Sequence, residues 1–249
     1  MFDRTPSCDH DDRAVSEVLA FILVFTIIIG SVTMVSVFGM QSLTSYQEGE
    51  QLRNAERAMD ALSDNFNDVV RYDGVTARSG ELNLRGGSVS TAHEGTELTI
   101  SINDSSGDVI NETDVTTGGL VYEAGSGTDT IAYEGGAIFR GDHTGNVVLQ
   151  EPMLRCRDDT AVVSLLVIEA EPRTLQSSEI NQLRLTENTS KTTRRTYTGV
   201  DEVTVDVGNS EYKMAWERTL EERGFGEDEC SLGGDGRVTI HVVYADLEY

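Results

Sequence analysis

The sequence predicts an α+β protein: a long N-terminal helix, transmembrane and then amphipathic, followed by a mainly antiparallel, sandwich-like β domain. Three observations predict it. Residues 18–40 carry no charge; as a helix rising 1.5 Å per residue they reach about 35 Å, enough to cross a bilayer core with some tilt. The stretch after them repeats apolar residues at alternating steps of three and four. Beyond Asp73-Gly74 the period falls to two, in short segments punctuated by Gly, Asn, Asp and Ser. The chain thus divides into a leader (1–13), a helix (14–72) and a β-rich region (73–249).

The leader is polar and rich in aspartate, and Pro6 and Ser7 discourage regular structure. It does not fit a secretory signal, because the apolar run is too long and no small-residue cleavage site follows it. A cut on the near side of the run would instead keep the apolar segment in the mature protein. The residues Asp12-Arg13-Ala14-Val15-Ser16-Glu17-Val18-Leu19 resemble the N-terminus of haloarchaeal type IV pilin-like proteins. The resemblance is carried by residues 11–40. It extends more loosely along the chain to haloarchaeal membrane-anchored, β-rich proteins.

That resemblance implies a pilin-like fold and cleavage by a prepilin peptidase at Arg13–Ala14 or Ala14–Val15. It places the leader in the cytoplasm, the apolar helix in membrane lipid as a single pass, and the β region outside the cell. The leader's own charges set no orientation, since Asp3, Asp9, Asp11 and Asp12 stand against Arg4 and Arg13. Glu17 resembles the glutamate with which a pilin pairs the new N-terminal amine of a neighbouring subunit. A carboxylate at a membrane edge is costly unless paired or near the interface, so such pairing is physically sensible. The same Glu17 also suits the first turn of any helix, with Ser16 as cap.

Along the helix, Gly30 and Gly39 are of the kind that lets membrane helices approach closely. Leu52, Ala55, Met59, Leu62, Phe66 and Val69 then form one seam, with Asn54, Glu56, Arg57, Asp60 and Asp64 on the other faces. About three heptads is short for a free coiled coil, so the seam is expected to pack on the domain that follows. Ser42, Thr44, Ser45 and Gly49 are poor helix formers and mark a place for a bend. Asp73-Gly74 is the stop.

Strands are predicted at 81–85, 97–102, 109–115, 130–133, 137–140, 147–150, 159–169, 182–187, 193–197, 202–207 and 237–245, the last running on toward Tyr249. Residues 97–102 and 109–115 read as a hairpin. The most apolar run, 161–168, reads as a central strand buried on both faces. Residues 211–223 interrupt the strands as a helix with Met214, Leu220 and the sole tryptophan. Trp216 reads as a core anchor rather than a carbohydrate platform.

Forty-three acidic residues against nineteen basic ones give a net charge of -24, and Lys191 and Lys213 are the only lysines. Such a surface repels DNA, RNA and anionic lipid, which excludes nucleic acid as a partner. The recurring strands argue against a disordered acidic chain. In very high salt, where the Debye length is about 3 Å at 1 M, dense carboxylates stop repelling one another. Acidic and lysine-poor together look like a halophilic, haloarchaeal protein.

Cys8 precedes the apolar run, while Cys156 and Cys230 follow it. If the run crosses a membrane, only the latter two share a compartment that permits a disulfide; two buried free thiols are the other reading. Asn103-Asp104-Ser105, Asn111-Glu112-Thr113 and Asn188-Thr189-Ser190 fit the N-glycosylation acceptor pattern. His10, His93, His143 and His241 lack metal-ligand spacing, and no GxSxG or Walker-type loop occurs. The acidic loops 103–108 and 227–235 miss the EF-hand pattern. The sequence therefore points to no catalytic residue, metal or cofactor, and to no enzyme.

Two functions remain open. One is a pilin-like surface protein that assembles through its N-terminal helix, with its own copies or with other subunits, for adhesion. The other is a membrane-anchored module that never polymerises and binds a glycan, a surface or an envelope protein.

Overall fold

The computed structural model describes residues 11–82, 86–92, 95–125, 127–176, 182–226 and 230–249. The chain divides into two compact units, Met1–Gly49 and Glu50–Tyr249. Helix α1, Asp11–Arg71, belongs to both, and the assigned helix runs through the weak formers of 41–49.

In the first unit every described side chain from residue 16 onward is exposed. The helix is long and apolar enough to cross a membrane. Hydroxyls along it bond back to the helix: Thr26 Oγ1 donates to Ile22 O at 2.7 Å and Thr33 Oγ1 to Ile29 O at 2.9 Å. Hydroxyls bonded back to the helix's own carbonyls suit hydrocarbon surroundings.

The second unit begins with the amphipathic part of α1. Leu52, Ala55, Met59, Leu62, Phe66, Val69 and Val70 are buried there. Each large apolar side chain so buried contributes about 1.5–3 kcal/mol, so packing rather than propensity holds this stretch helical. The helix stops before Gly74, whose φ of 89° suits glycine.

The strands that follow are β1 (Ala77–Gly80), β2 (Ser88–Ala92), β3 (Glu97–Asn103), β4 (Val109–Thr116), β5 (Gly119–Glu123), β6 (Thr130–Glu134) and β7 (Ala137–Asp142). Then come β8 (Gly145–Gln150), β9 (Met153–Arg157), β10 (Thr160–Glu169), β11 (Arg173–Gln176), β12 (Leu183–Glu187) and β13 (Thr193–Val207). Helix α2 (Lys213–Glu222) and β14 (Ser231–Glu248) complete the chain. A six-stranded antiparallel sheet has the order β11-β2-β5-β6-β7-β8. The larger sheet has the order β1-β12-β14-β13-β3-β4, with β10 beside β14 and β9 beside β10. Among the described strands only β10 and β14 pair in parallel.

Two cores result. In the first, the α1 seam and the inner face of the smaller sheet, with Tyr122 and Tyr133, meet Val243, Ala245 and Leu247 of β14. In the second, Val238, Ile240 and Val242 of the same strand face α2, β3 and Phe139 of β7. The larger sheet curls until Thr117 O, just past β4, accepts the Ile168 N–H of β10 at 2.9 Å. Gly118 permits this approach: its φ is 59°, and a Cβ there would overlap the Ile168 carbonyl oxygen.

The α+β class, the seam, the hairpin β3–β4 and the buried Trp216 agree with the sequence reading. The run 161–168 forms β10, which lies between β14 and β9 and is buried on both faces at Leu165–Ile168, as expected of an interior strand. Three details differ. Residues 81 and 82 belong to no strand, and 83–85 lie outside the described residues. The segments 193–197 and 202–207 form one strand, β13, because Gly199 at φ 74° turns the chain within a bulge instead of ending it. Strands β1, β2, β5, β9 and β11 are additional.

Candidate functional site

At the N-terminal end, Arg13, Ala14 and Val15 lie within the α1 span, and their side chains fall outside the described ones. Glu17 is exposed on the same helix, just ahead of the apolar stretch. Cys8, His10 and His93 lie outside the described residues.

Cys156, at the end of β9, and Cys230, just before β14, are joined by a disulfide. The backbone prepares it: Cys156 N–H donates to Arg223 O after α2, and Val203 N–H donates to Cys230 O. The bridge therefore fastens the end of α2, β9 and the entry to β14 at one point.

The three acceptor asparagines stand in different surroundings. Asn103, at the end of β3, donates Nδ2 to Glu202 Oε2 at 3.3 Å, while its Oδ1 is buried without a partner. Asn111, in edge strand β4, donates Nδ2 to Thr113 Oγ1 at 2.7 Å. Asn188 lies in the turn after β12 and accepts the Ser190 hydroxyl on Oδ1 at 2.6 Å.

A groove of about 530 Å³ is lined by the first part of β13, residues 240–244 of β14, and single residues of β4 and β10. Thr193, Arg195 and Tyr197 alternate along β13 and so share a face; Thr193 stands opposite Val242 and Arg195 opposite Ile240. Ile240 and Val242 are buried and make the floor, while Thr113, Glu169, Lys191 and Tyr244 complete the walls. Lys191 Nζ donates to Glu169 Oε1 at 2.6 Å, a bond that raises the lysine's pKa. Among the described residues Arg195 has no ion-pair partner. A second groove, of about 850 Å³ beside α2, is lined by Glu202, Asp206, Glu217 and Glu221 against Lys213.

Among the described residues one carboxylate is buried. Glu134, at the end of β6, accepts from Trp216 Nε1 at 2.7 Å and from Thr96 Oγ1 at 2.5 Å on one oxygen, and from Thr96 N at 3.3 Å on the other. Burial pushes its pKa up, and these hydrogen bonds oppose part of the shift. The group links the smaller sheet, the entry to β3 and α2, which is a structural task. Among the described residues no three His, Cys, Asp or Glu side chains form a metal-binding group. In the loop after β3, Asp104 Oδ1 accepts the Ser106 and Asp108 N–H groups and so closes a turn.

Neither the groove nor Glu134 carries a sequence signal strong enough to single it out. The alternation of Thr193, Arg195 and Tyr197 is visible, but the strands that face it come from elsewhere in the chain. Glu134 precedes two glycines and reads as part of an exposed turn.

These features define a class: an α+β protein with an N-terminal helix able to span a membrane and a two-sheet, disulfide-bonded β domain. The chain belongs to the family described as "Family of unknown function (DUF7289)", which it matches over residues 13–248. No curated protein and no solved structure matches it.

Proposed function

We propose that this chain is a type IV pilin-like cell-surface protein. A prepilin peptidase cuts at Arg13–Ala14 or Ala14–Val15, the apolar part of α1 stays in the membrane, and the β domain lies outside the cell. One observation carries this reading: the junction Arg13-Ala14-Val15-Ser16-Glu17 stands directly before a helical stretch that is apolar on every side. Two others support it. The family match begins at Arg13, leaving the leader outside the shared part. The disulfide suits an oxidising, external compartment.

Glu17, exposed beside the new N-terminus, provides a carboxylate for the ammonium group that cleavage creates on a neighbouring copy. The helices then assemble, with one another or with other pilin-like subunits, into a surface structure used in adhesion. A second reading, a membrane-anchored binding module that does not polymerise, is favoured by the groove between β4, β13 and β14.

Mass spectrometry of the mature N-terminus tests the first reading. A start at Ala14 or Val15 is expected, and an intact Met1 refutes the prepilin route. Arg13→Ala should leave the chain uncut, whereas Glu17→Gln should be cut but fail to assemble. Filaments sheared from cells and containing this chain separate the two readings.

A further inference from the structure

We propose that Asn188 carries an N-linked glycan containing acidic sugars, and that the groove between β4 and the β13–β14 pair seats it. The inference rests on the β domain lying outside the cell. The three acceptor asparagines differ in what their nitrogens do: Nδ2 of Asn103 and of Asn111 each donates to a neighbour. Among the described residues Asn188 engages only its oxygen, with Ser190, which leaves its nitrogen open to reaction. It also lies in a turn outside the strand ladders, where a transferase reaches the backbone without opening a sheet. The step joins Nδ2 to the anomeric carbon of a saccharide carried on a phosphate donor. The N–C bond forms, the C–O bond to phosphate breaks with its electron pair, and one amide proton is released.

A glycan attached there begins at the groove. Asn188 N–H donates to Tyr244 O at 2.7 Å, and Tyr244 N–H donates to Thr192 Oγ1 at 3.3 Å. The turn therefore straddles Tyr244, a residue of the groove wall, and Lys191 of the same turn is another. Tyr197 and Tyr244 offer flat rings, and Thr113 and Thr193 offer hydroxyls. Lys191 and Arg195 stand against one carboxylate, Glu169, on a chain whose net charge is -24. A cationic groove in such a surface draws an anion, hence acidic sugars.

The seat also answers a need of the sheet. Strand β3 pairs with β13 only from Glu202 to Val207, so among the described residues the outer edge of 193–198 has no strand beside it. Open edges are covered in native proteins, and a glycan is a bulky, solubilising cover.

Intact-glycopeptide mass spectrometry of the full chain, isolated from cells that make it, tests the attachment. The expected result is acidic saccharide on Asn188, lost in Asn188→Gln, with Asn103 and Asn111 bare. A bare Asn188 overturns the proposal. The same spectra show the mature N-terminus, so a start at Ala14 or Val15 beside a bare Asn188 refutes the glycan alone. Hydrogen exchange of the full chain tests the seat. Amides of 193–198 should exchange about tenfold faster in Asn188→Gln, and Arg195→Gln, which keeps the sugar, should show most of that loss of protection. Equal exchange in all three proteins overturns the seat.

Discussion

Replacing Cys156 and Cys230 together by alanine removes the bridge that fastens β9 to the entry of β14. The two residues are 74 apart in sequence, so the reduced chain regains the freedom of a long loop when it unfolds. The chain-entropy relation puts that freedom at about 15 cal/mol/K, or about 4.5 kcal/mol at 25 °C. With a urea slope of about 2–3 kcal/mol per molar, the midpoint should fall by roughly 1.5–2 M. Trp216 is the assay. It is the sole tryptophan, fully buried, with its ring 5.0 Å from that of Phe139, so its emission reads the β domain alone in the full chain. Reductant should move the wild-type curve onto that of the double variant. A midpoint shift below about 0.3 M would refute the reasoning, since the folded chain would then gain nothing from closing the loop.

Phe66→Ala should cost about 3–5 kcal/mol by the same fluorescence, because Phe66 is fully buried with its ring 6.1 Å from that of Tyr133. A loss below about 1 kcal/mol would mean that this part of α1 is not core. Glu134→Gln should alter how stability depends on pH. Burial raises the folded-state pKa of Glu134, so its contribution is full below the unfolded value and is lost as pH rises through the folded one. The stability of Glu134→Gln minus that of wild type should therefore rise with pH from about pH 4, and a flat difference contradicts the burial argument. Gly118→Ala should lose at least about 2 kcal/mol, since the left-handed backbone and the Ile168 carbonyl both resist a Cβ. Unchanged amide protection at Ile168 in that variant would show that the sheet does not close there.

What was legible in the sequence was local. The α1 seam declares itself because a helix brings residues three and four apart together. The hairpin β3–β4 declares itself because its turn residues lie between two alternating runs. Strands β2 and β11 hide because each buries few apolar side chains, Val89 in one and Leu175 in the other. Strand β9 hides behind Arg155 and Arg157. The parallel pairing of β10 with β14 has no sequence signature, since it joins segments 77 residues apart. Separation along the chain concealed the groove too: Arg195 and Tyr197 were visible as alternation, but their floor, Ile240 and Val242, arrives from β14. Glu134 was invisible because only tertiary packing takes a carboxylate beside two glycines out of water.

The two stretches of α1 pose opposite demands, and the difference bears on function. From Leu52 to Val70 the apolar side chains occupy one seam, and the β domain covers it. From Val18 to Leu43 they point in every direction: Leu19, Ile22, Phe25 and Ile29 are 62%, 53%, 55% and 51% exposed, and Phe21, Leu23 and Ile27 on other faces are as open. A single domain can cover a seam, but it cannot surround a helix. Such a stretch needs a medium that is apolar on all sides, which is lipid, or several helices of the same kind packed around it. A pilin-like protein uses both in turn, lipid before assembly and neighbouring helices after it. Under the proposed pilin-like function, the exposed Glu17 at the head of the stretch acts only in the second state, where it would have an ammonium group to meet. Glu17→Gln should therefore leave membrane insertion and cleavage unchanged and reduce only assembly; equal loss of insertion would assign Glu17 to the anchor instead.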